Sequence, residues 1–232
     1  MQEIRDNITN ISHNIRDICI RTGKDPDSIT IIAVTKTIDP DRINYAVECG
    51  IQNIGENKVQ EIMAKYENIE GNVKWHLIGH LQTNKVKYII DKVELIHSVD
   101  SISLAEEISR RAEKAGLVRN VLVQVNVAQE DTKFGIDYEE TESFVKQLSQ
   151  LSGIRVKGLM TIAPYYEDTE LVRPVFRRLK EKYDSLAEAD IINVEMKYLS
   201  MGMTNDYKVA IEEGSNMVRV GTGIFGARNY NI

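Results

Sequence analysis

Cysteine and proline are scarce in this chain. Among 232 residues there are two cysteines and four prolines, and Cys19 and Cys49 stand alone, without metal-like spacing. That excludes a disulfide framework and a cysteine-built zinc site, and both thiols are expected to be buried and reduced. No low-complexity stretch and no Pro-, Gly- or Ser-rich linker divides the chain, which argues against disorder and for one domain over 1–232. A basic surplus is also lacking: 35 acidic residues oppose 29 scattered basic ones, for a net charge of −6. This charge balance gives no support to a nucleic-acid surface. No apolar run approaches bilayer length, and the N-terminus carries neither a long apolar core nor a cleavage site, so the expected location is the cytoplasm.

What is present is a regular alternation of strand-like and helical patterns, the signature of a parallel sheet with crossover helices. Eight strands are expected, over 29–36, 51–55, 73–79, 94–100, 121–127, 155–162, 194–200 and 217–221. Helical patterns cover 41–49, 58–66, 103–115, 139–151, 169–186 and 206–213. Eight β/α units close a TIM-type (β/α)8 barrel. The competing open, doubly wound sheet would carry a Gly-rich fingerprint after its first strand, and that strand ends in Thr35-Lys36-Thr37 instead. Ahead of it, residues 1–22 place Ile4, Ile8, Ile11, Ile15 and Ile18 on one helix face. About two heptads are too few for a credible coiled coil, so this helix is expected to pack on the barrel.

Chemistry concentrates near the C-terminus. Ser200-Met201-Gly202-Met203-Thr204 and Val220-Gly221-Thr222-Gly223 are apolar runs that break into glycines and hydroxyls, where backbone N–H groups can converge on an anion. In a barrel these turns follow the last two strands, a common phosphate position; as single residues, the glycines read equally as turn formers. Lys36 closes the first strand on the face of Ile32 and Val34, where barrel enzymes keep Schiff-base lysines, although a solvated lysine past a strand end has the same pattern. Gln124 and Asn126 share the inward face of their strand with Leu122, and a ligand, water or a neighbouring strand satisfies such groups. Arg219 shares a face with Met217 and Gly221, and needs an anion, an acceptor, or a salt bridge to a residue such as Glu195 or Asp100. His76 has inward parity and is a candidate pocket residue. His76 and His80 flank a strand end and so do not form a helical zinc pair; no metal is expected. His13 reads as exposed and His97 as a hydrogen-bonded core residue. A lysine, an inward arginine and a phosphate cup together suit pyridoxal 5′-phosphate.

Ala33-Val34-Thr35-Lys36-Thr37, Gly55-Glu56-Asn57, Trp75-His76-Leu77-Ile78-Gly79-His80, Ser200-Met201-Gly202-Met203 and Val218-Arg219-Val220-Gly221-Thr222-Gly223 carry a resemblance that runs nearly end to end. The chain resembles the YggS/PROSC family of pyridoxal-phosphate homeostasis proteins, related in fold to the N-terminal domain of alanine racemase. The resemblance implies that Lys36 holds the cofactor as a Schiff base, with Asn57 and Met201 near it. It places Arg219 against the pyridine nitrogen, and Ser200, Gly221 and Thr222 about the phosphate; Gly202, in the Ser-Met-Gly-Met turn, is a further candidate cofactor-binding residue. The chain departs from the family at Lys58, where an aromatic residue is frequent, and at Thr204, where serine is.

The expected function is a reversible pyridoxal-phosphate carrier that maintains vitamin B6 and amino-acid/keto-acid balance and supplies apo-forms of cofactor-dependent enzymes. An arginine cannot protonate the ring nitrogen, and no opposite-face base is evident before the chain ends, which weakens carbanion chemistry. The alternatives are a slow amino-acid racemase and a cofactor-free Schiff-base aldolase. A monomer is expected, and Lys133, near Asp131, is a candidate secondary lysine.

Overall fold

The structure, a computed structural model, describes residues 1–129 and 134–227. Runs of β-branched residues such as Thr30-Ile31-Ile32-Ala33-Val34 extend readily and recur along the chain. The strands are β1 (Thr30–Val34), β2 (Asn53–Glu56), β3 (Lys74–Leu77), β4 (Leu95–Val99) and β5 (Arg119–Asn126). After the short β6 (Ile136–Asp137) come β7 (Ile154–Met160), β8 (Val194–Met203) and β9 (Met217–Val220). Every pairing is parallel, β1 pairs with both β2 and β9, and β4 pairs with β5, so eight strands close on themselves. Among the described residues the two-residue β6 pairs only with β5, and it stands outside the barrel. All eight expected strands are present, with ends shifted by a few residues.

The helices are α1 (Gln2–Thr22), α2 (Pro40–Glu48), α3 (Val59–Lys65), α4 (Ile102–Lys114), α5 (Thr141–Leu148), α6 (Arg173–Glu188), α7 (Tyr207–Glu212) and α8 (Thr222–Phe225). Local chemistry sets several boundaries. Asp39 caps α2 by accepting the Arg42 N–H at 3.0 Å, Pro40 opens the same helix, and Gly23 ends α1 in the left-handed conformation. The helix expected over 169–186 divides: Thr169–Val172 forms a 3-10 turn and the α-helix starts at Arg173, because Pro174 has no N–H and fits only a first turn. Between β3 and β4 the chain forms a 3-10 stretch, Thr83–Tyr88, in place of an α-helix.

Two apolar clusters follow from strand alternation. Ile32, Leu95, Leu122, Met160 and Met217 fill the barrel, and a larger cluster fills the layer between barrel and helices. The five isoleucines of the stripe are all buried in the outer layer, as the pattern predicts, while Ile20 is exposed. This helix packs on α2, α7 and α8, where Asn7 donates to the Ile224 carbonyl at 3.0 Å. Lys24, just past α1, donates to the Glu212 carbonyl at 3.0 Å and to that of Ile211, and so ties α1 to the end of α7. Cys19 is buried and Cys49 half-buried rather than buried; both are unpaired. Among the described residues no helix is long and apolar enough to cross a membrane.

Candidate functional site

The C-terminal ends of β1, β2, β8 and β9 bring the expected residues to one mouth of the barrel. Alternation turns Thr35 to the outer layer and Lys36 to the barrel side, and Lys36 is half-buried. Next to it, Asn57 follows β2. Its backbone lies so close to Gly79 that a Cβ on the glycine would sit 2.4 Å from the Asn57 carbonyl oxygen. Only a residue without a side chain permits that approach, so the turn after β3 fixes the position of Asn57.

The turns at the ends of β8 and β9 meet through backbone donors. The N–H groups of Gly221 and Gly223 both donate to Thr204 Oγ1, each at 3.2 Å, so two backbone donors converge on a single oxygen. Thr222, between them, is exposed. On the opposite turn, the Met203 N–H donates to Asp206 Oδ1 at 2.5 Å and the Asp206 N–H returns to the Met203 carbonyl at 3.1 Å. Burial pushes the Asp206 carboxyl up, while the Met203 N–H and Arg219 hold it down. Gly202 is buried with φ +92°, and its missing Cβ lets α7 pack against the turn, since a Cβ there would lie 2.5 Å from that of Ala210. Its part is to let the turn and helix close together.

Beneath the cup lies a hydrogen-bonded chain across the barrel interior. Arg219 is 4% exposed and donates from Nη1 to Ser200 Oγ at 2.6 Å and from Nη2 to the Thr161 carbonyl at 2.8 Å. Ser200 Oγ lies 3.1 Å from His97 Nδ1, His97 Nε2 lies 3.0 Å from His76 Nδ1, and His76 Nε2 lies 3.1 Å from Asn53 Oδ1. The proton order follows from the ends. Asn53 Oδ1 accepts only, so His76 carries its proton on Nε2 and presents Nδ1 to the Nε2–H of His97. His97 Nδ1 then accepts from Ser200, whose oxygen accepts from Arg219. Both rings are neutral. Burial, with Lys74 a smaller influence, pushes His76 down to about 3, and burial, His76 and Arg219 push His97 down as well. Burial lowers Arg219 to about 10 against the opposing pull of Asp206, so the guanidinium remains a cation at neutral pH.

The structure thus brings Lys36, Asn57, Gly221 and Thr222 to the mouth, sets the buried Arg219 beneath them, and sets others elsewhere. His76 does not line the pocket: both ring nitrogens are engaged one layer below, with His97 and Asn53. Ser200 is fully buried between Arg219 and His97, and so supports the arginine. Alternation turns Met201 into the layer between barrel and helices, where it is fully buried, so its side chain packs rather than faces the mouth. Neither suggested salt bridge to Arg219 forms. Glu195 pairs with Lys157, and Asp100 faces His80 at 3.7 Å. Gln124 donates to the Phe134 carbonyl at 3.0 Å, and Phe134 stacks on His80, with ring centroids 4.1 Å apart. Asp131 and Lys133 lie outside the described residues.

The cluster behind Lys36 was not expected from the sequence. Glu56, fully buried, accepts from Thr35 Oγ1 at 2.7 Å and from Lys65 Nζ at 2.8 Å, and Glu61 accepts from the Thr37 N–H at 2.7 Å and from Lys65 at 3.0 Å. The available signal was Glu61 and Lys65 four apart on a short helix, with Glu56 just ahead of it.

The donor set has the chemistry of a particular kind of protein: a parallel β/α barrel with a lysine at its mouth, a cationic arginine whose hydrogen bonds go to neutral oxygens, and paired N–H groups suited to a phosphate. Residues 7–229 match the family described as alanine racemase, N-terminal domain. A pyridoxal phosphate homeostasis protein of Aquifex aeolicus is 44% identical over 224 residues, which span 96% of this chain and 97% of that one. A solved protein from Bifidobacterium adolescentis, described as unknown, superposes with a TM-score of 0.92 at 36% identity, over 97% of this chain and 95% of that one. PipY of Synechococcus elongatus PCC7942, solved with PLP bound, gives 0.82 at 31% identity, over 96% and 100% of the two chains. The chain belongs to this family, that of the pyridoxal phosphate homeostasis proteins.

Proposed function

We propose that this protein binds pyridoxal 5′-phosphate reversibly at the barrel mouth and serves as a store and donor of the cofactor. The observation that carries this reading is the convergence of the Gly221 and Gly223 N–H groups on one oxygen, beside Lys36 and above a buried arginine. These residues fit the group, since two backbone N–H donors already converge on one oxygen, that of Thr204. The names of the relatives, and PipY with PLP bound, support the same ligand.

Pyridoxal phosphate supplies an aldehyde that captures amines and a ring that withdraws electrons. Lys36 would supply the amine that holds the aldehyde, in a linkage that water can reverse. Gly221, Thr222 and Gly223 would take the phosphate and Asn57 would flank the ring. Arg219 would meet the pyridine nitrogen as a hydrogen-bond donor. A guanidinium keeps its proton at neutral pH, so the ring is a weak electron sink and storage is favoured over carbanion chemistry. Ser200 and the two histidines hold that guanidinium from below.

The test is a visible spectrum with added pyridoxal phosphate, followed by borohydride reduction and peptide mass analysis. The expected result is a yellow band fixed on Lys36 and absent from Lys36→Ala. A wild type that traps no cofactor would overturn the reading. The recipients proposed are apo-forms of enzymes that use the cofactor, and the location proposed is the cytoplasm, in keeping with two unpaired thiols. We infer a monomer, because the α1 isoleucine face that could have driven pairing is buried within the chain. Light scattering should give the mass of one chain, and twice that mass would refute it.

A further inference from the structure

We infer that the buried ion cluster of Glu56, Lys65 and Glu61 positions Lys36, by clamping the backbone on both of its sides. The inference rests on the reading of Lys36 as the anchor for an aldehyde. Three polar groups flank this lysine in sequence, and all three end on the cluster. Thr35 Oγ1 donates to Glu56 at 2.7 Å, the Thr35 carbonyl accepts from Lys65 at 2.9 Å, and the Thr37 N–H donates to Glu61 at 2.7 Å. Lys65 Nζ makes three hydrogen bonds, to the Thr35 carbonyl, Glu56 and Glu61, which matches its full donor capacity.

Two features show that this arrangement does more than fill the core. Thr37 has φ +64°, a left-handed conformation that a β-branched residue adopts only when its surroundings impose it. The bond to Glu61 is the one that holds its N–H. In addition, an ammonium and a carboxylate buried together are a poor source of stability compared with apolar packing, so their presence calls for another role. Lys65 is 9% exposed and Glu56 0%, on the helix side of the strands that carry the mouth residues. Alternation accounts for the division of labour. Thr35 faces the cluster, Lys36 faces the mouth, and fixing the residues at 35 and 37 aims the side chain between them.

Glu61 is the residue to change, because its side chain is 23% exposed and its removal leaves the Glu56–Lys65 pair intact. Glu61→Ala, Glu61→Gln and wild type would be compared in three ways: melting temperature, affinity for 4-deoxypyridoxine 5′-phosphate, and rate of covalent capture of pyridoxal phosphate. The deoxy compound keeps the ring and phosphate and lacks the aldehyde. The expected result for Glu61→Ala is an affinity for the deoxy compound within about twofold of wild type and capture slowed about tenfold or more, the scale of a misplaced reacting group. Glu61→Gln, whose amide oxygen still accepts from Thr37, should recover most of the rate. If Glu61→Ala does not fold, Glu61→Asp, which keeps the charge but withdraws it by one methylene, should show the same split. Capture at the wild-type rate in the folded variant, or equal losses in capture and in affinity for the deoxy compound, would overturn the positioning role. A wild type that traps nothing on Lys36 would instead overturn the functional reading itself.

Discussion

At the scale of single residues, the site rests on one serine hydroxyl. Ser200 Oγ accepts from Arg219 Nη1 and gives its proton to His97, so it joins a buried cation to a neutral ring. Ser200→Ala would leave an arginine N–H and a histidine nitrogen without that partner in the barrel. Buried groups left unsatisfied cost about 1–3 kcal/mol, and urea unfolding should show a loss in that range. A loss below ~0.5 kcal/mol, the level of an ordinary surface change, would mean that water or a neighbour replaces the hydroxyl. Lys36, Arg219 and the cup glycines were legible in the sequence because parity along a single strand decides which way they face. The relay was not, because His76 to His97 and His97 to Ser200 are contacts between strands, and parity says nothing of register. His76 was given the right face and the wrong level. Met201 came from family resemblance, and the alternation that turns Ser200 inward turns its neighbour outward.

At the scale of elements, α1 shows how a periodic stripe becomes a structural commitment. Five isoleucines at alternating steps of four and three made one apolar face, and the structure buries all five between the barrel and its flanking helices. Each such side chain contributes about 1.5–3 kcal/mol by leaving water. Ile11 is at the middle of the stripe and 6% exposed. Ile11→Ala should therefore destabilise the protein by about 2–5 kcal/mol in urea unfolding, the transfer and cavity effects together. A loss under ~1 kcal/mol would indicate that α1 is only loosely docked. Strand number and order were readable for the same reason, since eight apolar runs alternating with helical ones leave few topologies. Boundaries were less readable where a backbone rule competed with periodicity. Pro174 moved the start of α6 inside a helical pattern that looked continuous, and β6 is too short to produce a pattern.

At the scale of the whole molecule, the relay makes the fold sensitive to acid. His76 has its folded pKa pushed down to about 3 by burial, against an ordinary value near 6.5. The unfolded chain therefore takes up a proton below pH 6.5 that the folded barrel refuses, and stability falls as pH drops from 6.5 toward 3. Between pH 7 and pH 5 this amounts to ~2 kcal/mol for His76 alone, at about 1.4 kcal/mol per unit of separation. His97 adds in the same direction, being lowered by burial and by its neighbours. Glu56 and Asp206 act the other way. Burial raises both, so the folded state accepts their protons more readily than the unfolded chain does and gains on acidification. These carboxyls remain when the histidines are replaced, which separates the two effects. The measurement is urea unfolding at pH 7 and pH 5 for wild type and for the double variant His76→Gln/His97→Gln. Wild type should lose at least ~2 kcal/mol more than the variant between the two pH values. An equal loss in both would place the acid sensitivity in carboxylates such as Glu61 or Glu213, which the fold holds below their ordinary range. It would also mean that a neutral histidine pair is not what supports the arginine under the mouth.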